Sequence, residues 1–313
     1  MNTPAPADTS TLTYVYAVVR RTKTLSAVLA QVRGIDRAPV RLLSGTSDPD
    51  PGHTADTDTD TDTDTDTETD TGLAFVTSAV PHRDFNETAL KDHFEDLQWL
   101  EYVARAHHEV VQAVATHATV LPLRMATVYQ DDSRARRALT EQRHTLDQRL
   151  ARLDAHTEYG VKIYLPRTTQ ESPGDGGEAA PTTPGKAYLR RRSAQRHARE
   201  NVYQQARQAA GAVEAIAARH TSQRVRHAPQ SGALSGPQEN VLNDAYLVPN
   251  GQAEQFRTAV EQAVQEFPDI RVEVTGPWAP YSFAMPPPGT PDPAGAPDPA
   301  DAQGPADAHE PAP

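Results

Sequence analysis

The amino-acid sequence predicts an α+β protein of two domains. Two observations carry that reading. Short β-branched and aromatic runs alternate with longer stretches in which apolar residues recur at three- and four-residue steps. Polar, low-complexity stretches interrupt this pattern and mark where folded blocks end. At 313 residues the chain has room for two cores.

Residues 1–12 are polar and Pro/Thr-rich, with neither the basic start nor the apolar middle of a secretory leader, and are expected to be disordered. Thr13-Tyr14-Val15-Tyr16-Ala17-Val18-Val19 reads as a first strand. A short helix or turn over 22–33 precedes Gly34, and 40–44 and 73–80 read as two further strands. Between them lies an acidic Thr-Asp run, and the loop 46–72 is expected to be disordered because it cannot bury enough apolar surface to offset ordering entropy. Calcium is the functional reading of such a run, but no EF-hand spacing is present. Asp84 and Glu87 suggest a capping box opening a long helix, with Leu90, Phe94, Leu97, Leu100, Val103, His107, Val110 and Val114 along one stripe. Residues 119–128 read as a buried strand broken at Pro122. A helix over 134–155 follows, with Leu139, Leu146, Leu150 and Leu153 on one side. The first domain, 13–156, is therefore expected to hold a mixed sheet covered by helices.

The second domain, 157–284, reads more simply. A strand at 159–165 leads through a flexible Pro/Gly/Thr/Ser loop at 167–184 into a long Ala/Arg/Gln-rich helix over 185–221. Strands at 223–228 and 241–248 follow. A helix over 252–267 shares Phe256, Val260, Val264 and Phe267 on one face and stops at Pro268. A last strand covers 270–275. The order βαββαβ is that of the ferredoxin-like split βαβ unit. Residues 285–313 are Pro/Ala/Asp-rich and expected to be disordered.

Charge follows the same division. Residues 47–71 carry ten acids and 286–313 carry five, with no Lys or Arg in either. Setting those fifteen aside takes the net charge from −12 to about +3, so the acidity belongs to the appendages. The absence of cysteine excludes disulfides, thiolate metal sites and cysteine catalysis. No apolar run is long enough to span a bilayer.

No constellation asks for an enzyme, a cofactor or a metal. His107 and His108 are adjacent and diverge by about 100° on a helix, whereas a zinc helix needs its two histidines four apart. No Gly-rich phosphate loop or Gly-x-Ser-x-Gly elbow occurs. The candidates are interaction residues. Arg190, Arg191 and Arg192, with Lys186, Arg196 and Arg199, form a basic helix start. Without an accompanying aromatic stacking motif it reads as a solvated face or a protein contact and not as a nucleic-acid site. Arg124, between Leu123 and Met125, is either ion-paired within a buried strand or an interface anchor. Trp278 and Tyr281 either pack under a sheet edge or present an apolar patch.

Several segments in order resemble the GvpL/GvpF family of gas vesicle proteins. These are the opening strand through Arg20; Thr119-Val120-Leu121-Pro122-Leu123-Arg124 with Thr127-Val128; Gly160-Val161-Lys162-Ile163-Tyr164; Ala187-Tyr188-Leu189-Arg190-Arg191-Arg192; Asn243-Asp244-Ala245-Tyr246-Leu247-Val248-Pro249; and Thr275-Gly276-Pro277-Trp278-Ala279-Pro280-Tyr281-Ser282-Phe283. His107 matches a histidine of the family's preceding helix. The family usually carries Phe-Gly where this chain has Met125-Ala126. The resemblance implies a cytoplasmic, vesicle-associated assembly factor or minor structural component. It would bind the hydrophobic shell protein and other accessory proteins, without catalysis and without nucleic-acid or membrane partners. The competing class is a small-molecule sensor or enzyme, since a ferredoxin-like fold does not settle function.

Deleting residues 54–71 should leave the fold intact. Loop length enters closure entropy only logarithmically, so thermal unfolding should change by about 1 kcal/mol or less. A large drop in melting temperature would make the acidic run structural.

Overall fold

The computed structural model describes residues 10–45, 72–166, 184–221, 223–229 and 238–284. The Thr-Asp run, almost all of the 167–184 loop, residues 1–9 and the 285–313 tail lie outside the described residues. The chain divides into two units, one built from residues up to Asp154 together with those from Ala279 onward, the other from Ala155–Trp278. The segment after Trp278, assigned above to the second domain, thus belongs with the first unit, where Ala279 and Tyr281 join the core.

The first unit is organised around β1 (Thr11–Arg20), which starts two residues earlier than expected and is buried except at its two end residues. Residues 11 and 12, expected to be disordered, lie in this strand. β1 pairs antiparallel with β3 (Leu73–Pro81), β4 (Val120–Pro122) and β5 (Val128–Tyr129), and β2 (Arg41–Ser44) pairs antiparallel with β3. Every described pairing is antiparallel, which corrects the expected mixed sheet. The chain returns to β1 through connections that reverse its direction, so no parallel neighbour arises.

Helices cover both faces. α1 (Lys23–Leu29), capped by Thr22 Oγ1 accepting from Leu25 N at 3.1 Å, contributes Leu25 and Leu29. The single long helix expected after β3 is three: α2 (His82–Phe85), α3 (Glu87–His93) and α4 (Leu97–Ala115). Asn86 and Asp96 each cap the following helix through a side-chain oxygen, and the Asp84/Glu87 capping box does not form. Likewise 134–155 divides at Gln142 into α5 (Asp132–Glu141) and α6 (Arg143–Leu153). Their Ala135, Leu139, Leu146, Leu150 and Leu153 are buried.

Two tyrosines on β1 knit this unit together. Tyr16 Oη is 2.8 Å from Ser78 Oγ and accepts the Ile35 N–H at 3.0 Å. At Gly34 a Cβ would collide with that hydroxyl. Tyr14 Oη accepts from Ala126 N at 3.0 Å and hydrogen-bonds His107 Nδ1 at 2.9 Å. His107 on α4 is 3% exposed, the core position that its place on the apolar stripe predicts. Burial pushes its imidazole down to about 4, and neighbouring His108 adds to the shift.

The second unit runs β6 (His156–Pro166), α7 (Pro184–His220), β7 (Arg224–Arg226), β8 (Gln238–Pro249), α8 (Ala253–Val264) and β9 (Arg271–Trp278), close to the expected boundaries. Its antiparallel sheet has the order β7-β8-β6-β9. Tyr159, Val161, Tyr246 and Val248 meet Val213, Ile216, Phe256 and Val260 from α7 and α8. Near the end of β9, Gly276 has φ 128°, and a Cβ there would lie 2.7 Å from the Glu158 carbonyl oxygen. Only glycine fits where β9 irregularly meets β6.

His107 makes stability pH-dependent in a defined window. Between its ordinary 6.5 and its folded value of about 4, the unfolded chain binds a proton that the folded chain does not. Its contribution is therefore complete above about pH 6.5 and lost as pH falls toward 4, on the order of 3 kcal/mol in all. Urea midpoints should fall more steeply over that range for the native chain than for His107→Gln. Equal slopes would show that another group controls the acid limb.

Candidate interaction surfaces

α7 is 37 residues long, about 55 Å at 1.5 Å per residue. Ala, Arg and Gln favour such a helix intrinsically. Val202, Ala206, Ala209, Val213 and Ile216, spaced 4-3-4-3, face the sheet, where the small side chains let α7 approach Ile163 and Leu165. From 186 to 201 no described side chain is buried. This leading half is an arm that contributes nothing to the core. It displays Tyr188 and Leu189, 61% and 65% exposed, followed by exposed Arg190, Arg191 and Arg192, which form no ion pair with another described residue. The three arginines stand where the sequence placed them. The apolar pair before them adds exposed apolar surface to this charged stretch, with Tyr188 on the side of the helix that Arg191 and Arg192 share.

At the base of the arm, Tyr203 Oη donates to Glu239 Oε1 at 2.7 Å. Arg199 Nη2 donates to the same hydroxyl at 3.3 Å, and its guanidinium stands 5.6 Å from the ring centre. These three residues, with Leu165, Pro166 and Val202, line a cleft of about 510 Å³. Arg196, Arg199 and Arg207, with Tyr203, border an open groove of about 810 Å³. Such a set can hold an anionic or peptide group. Among the described residues no three His, Asp or Glu side chains converge as metal ligands, and no helix is long and apolar enough to cross a membrane.

The remaining candidates separate. Arg124 is exposed, not held in a buried strand: the ladder stops at Pro122, and Thr127 folds back so that its N and Oγ1 both bond the Arg124 carbonyl. Trp278, at the end of β9, is 41% exposed, and its carbonyl accepts from Thr157 Oγ1 at 3.2 Å. Tyr281, in the short helix α9 (Tyr281–Ala284), lies within ring contact of His107 and His108 and packs on the first core. It is a packing residue, and Trp278 is the one of the pair that faces solvent.

Two features escaped the sequence reading. The first is an ionic network around Asp244 on β8, whose side chain is fully buried. Arg224 and Arg226 approach it at 3.7 and 3.5 Å, and both also reach Glu214 of α7. Burial, then Asp244, pushes the Tyr246 phenol up to about 12. Two carboxylates and two guanidiniums balance, so the network holds α7 to the β7 edge. An acid within an apolar strand and two arginines two apart were its only sequence signals. The second is the elbow between α3 and α4. The break resets the helical phase, so Phe94 and Leu97, assigned above to the core stripe, are 50% and 79% exposed. Asp92, Glu95 and Asp96 surround them on the surface.

The model of the family described as "Gas vesicle synthesis protein GvpL/GvpF" matches residues 12–285. The chain belongs to the GvpL/GvpF family. Gas vesicle protein L of Streptomyces sp. (strain CB03234) is 38% identical over 280 residues, covering 88% of this chain and 94% of that protein. Gas vesicle protein F of the same strain is 30% identical over 200 residues, covering 60% of this chain and 80% of that protein. Among solved structures, GvpF from Microcystis aeruginosa aligns with a TM-score of 0.52 at 17% identity, over 88% of this chain and 99% of its own. GvpF from Anabaena sp. PCC7120 aligns at 0.53 and 15%, over 88% and 97%. These likenesses show a shared fold of helices and two antiparallel sheets.

Ala126 adopts φ 63°, a left-handed conformation costly for a residue with a Cβ. Ala126→Gly should raise stability by about 1 kcal/mol or less, the gain tempered by glycine's entropy when unfolded. A lower melting temperature for the variant would show that the methyl group is needed.

Proposed function

We propose that this chain acts in gas vesicle assembly by binding and not by turnover, holding the hydrophobic shell protein and other vesicle accessory proteins in the cytoplasm and at the vesicle. The observation that carries this is the α7 arm, half a long helix with no role in the core and with adjoining apolar and basic side chains. A shell subunit with a large apolar face needs a partner before it is built in, or it aggregates. Tyr188 and Leu189 supply apolar contact, and the arginines steer the encounter. Arg124 and Trp278 are secondary contact residues. Family membership over nearly the whole chain supports the assembly role. The two units are read as separate domains. The second is read as ferredoxin-like, supported by the βαββαβ order and the strand sequence β7-β8-β6-β9.

Replacing Arg190, Arg191 and Arg192 together with Ala should slow association with the shell protein and flatten its salt dependence. Fold stability should change by roughly 0.5 kcal/mol or less per site, as for other exposed positions. Binding kinetics at low and high salt read this out. Unchanged kinetics would remove the arm from the contact. Failure of the native chain to bind any vesicle component would remove the assembly role and favour a small-molecule ligand in the cleft beside Tyr203.

A further inference from the structure

The arm of α7 and the elbow before α4 match each other. On the arm, Tyr188 and Leu189 precede Arg190, Arg191 and Arg192; on the elbow, Phe94 and Leu97 stand among Asp92, Glu95 and Asp96. Neighbouring ions do not neutralise either set. Lys91 is taken up by Glu87 at 2.9 Å and Arg105 by Glu101 at 2.6 Å. Asp92, Glu95 and the three arm arginines form no ion pair with another described residue. At 100° per residue, Tyr188, Arg191 and Arg192 share one side of the arm with Leu189 at its edge, while Arg190 points away; the elbow sets Phe94 and Leu97 beside three acids, so the two surfaces carry opposite charge.

We propose that these surfaces bind each other between copies of the chain, the arm of one copy seating on the elbow of the next. Joining them removes four large apolar side chains from water, while the opposed charges fix orientation and speed the encounter. Opposite charge also discriminates between contacts. Arm against arm or elbow against elbow places like charges together, so a two-fold contact through either surface is disfavoured. The contact is heterologous. Each added copy presents a fresh arm or elbow, and association continues until a ring closes. This goes beyond the partner reading above, and its test needs no vesicle protein, so its failure leaves that reading standing.

The test is sedimentation velocity on the full chain over a concentration series at low and high salt. Average mass should rise with concentration at low salt and fall back when salt is added. Two variants reverse one surface each, Arg190→Glu with Arg191→Glu and Arg192→Glu on the arm, and Asp92→Lys with Glu95→Lys on the elbow. Asp96 is kept because its side chain caps α4. Circular dichroism and melting should show both variants folded, since every changed side chain is exposed. Each variant alone should remain monomeric, and mixing the two should restore association, because each then offers the other opposite charge. A native chain that stays monomeric at low salt overturns the proposal. So does association that survives both reversals, or a mixture that remains monomeric.

Discussion

Two buried hydroxyls organise the first unit. Tyr14 and Tyr16 lie side by side on the central strand with ring centres 4.8 Å apart, in a core that water does not reach. A phenol left unbonded there would forfeit its hydration without replacement. Each is therefore placed where the backbone of a distant loop can donate to it, Ile35 for Tyr16 and Ala126 for Tyr14. The same hydroxyls reach Ser78 on β3 and His107 on α4. Four segments distant in sequence are thus positioned by one short stretch of β1. The left-handed backbone at Ala126 and the collision that any side chain would cause at Gly34 both follow from the need to bring a loop this close.

The second unit solves a different problem. α7 must bury enough surface to hold while half its length reaches past the packed region. Ala206, Ala209 and Ala217 let its backbone come near the sheet, and Val213 with Ile216 fills the space between. Beyond that grip, Tyr203 and Glu239 on one side and Glu214 with Arg224 and Arg226 on the other fasten the helix to β8 and β7. Held over its second half, the helix carries its first half past the packed region.

Strand and helix positions in the second unit were legible because β6, α7, β8 and α8 each carry one uninterrupted pattern bounded by Pro, Gly or polar residues. The first unit was less so. Between residues 82 and 115 the apolar spacing runs continuously through two breaks, and only the capping oxygens of Asn86 and Asp96 reveal them. Phe94 and Leu97 consequently read as core and proved to be surface. Arg124 misled for a related reason, since its apolar neighbours suggested a buried strand where the chain in fact turns at Thr127.

By itself the sequence determined the α+β class, the βαββαβ order, the core role of His107 and the solvated basic run on α7. Each depends on local pattern: side-chain period, composition or a charge too costly to bury. Only tertiary structure decided that the first sheet is antiparallel, that Tyr281 packs in the first core while Trp278 faces solvent, and that Asp244 sits among three ions. Strand pairing, burial and ion pairing at those sites are set by residues tens of positions away. A one-dimensional pattern records which residues can be buried, and the partner that buries them is chosen when the chain closes on itself.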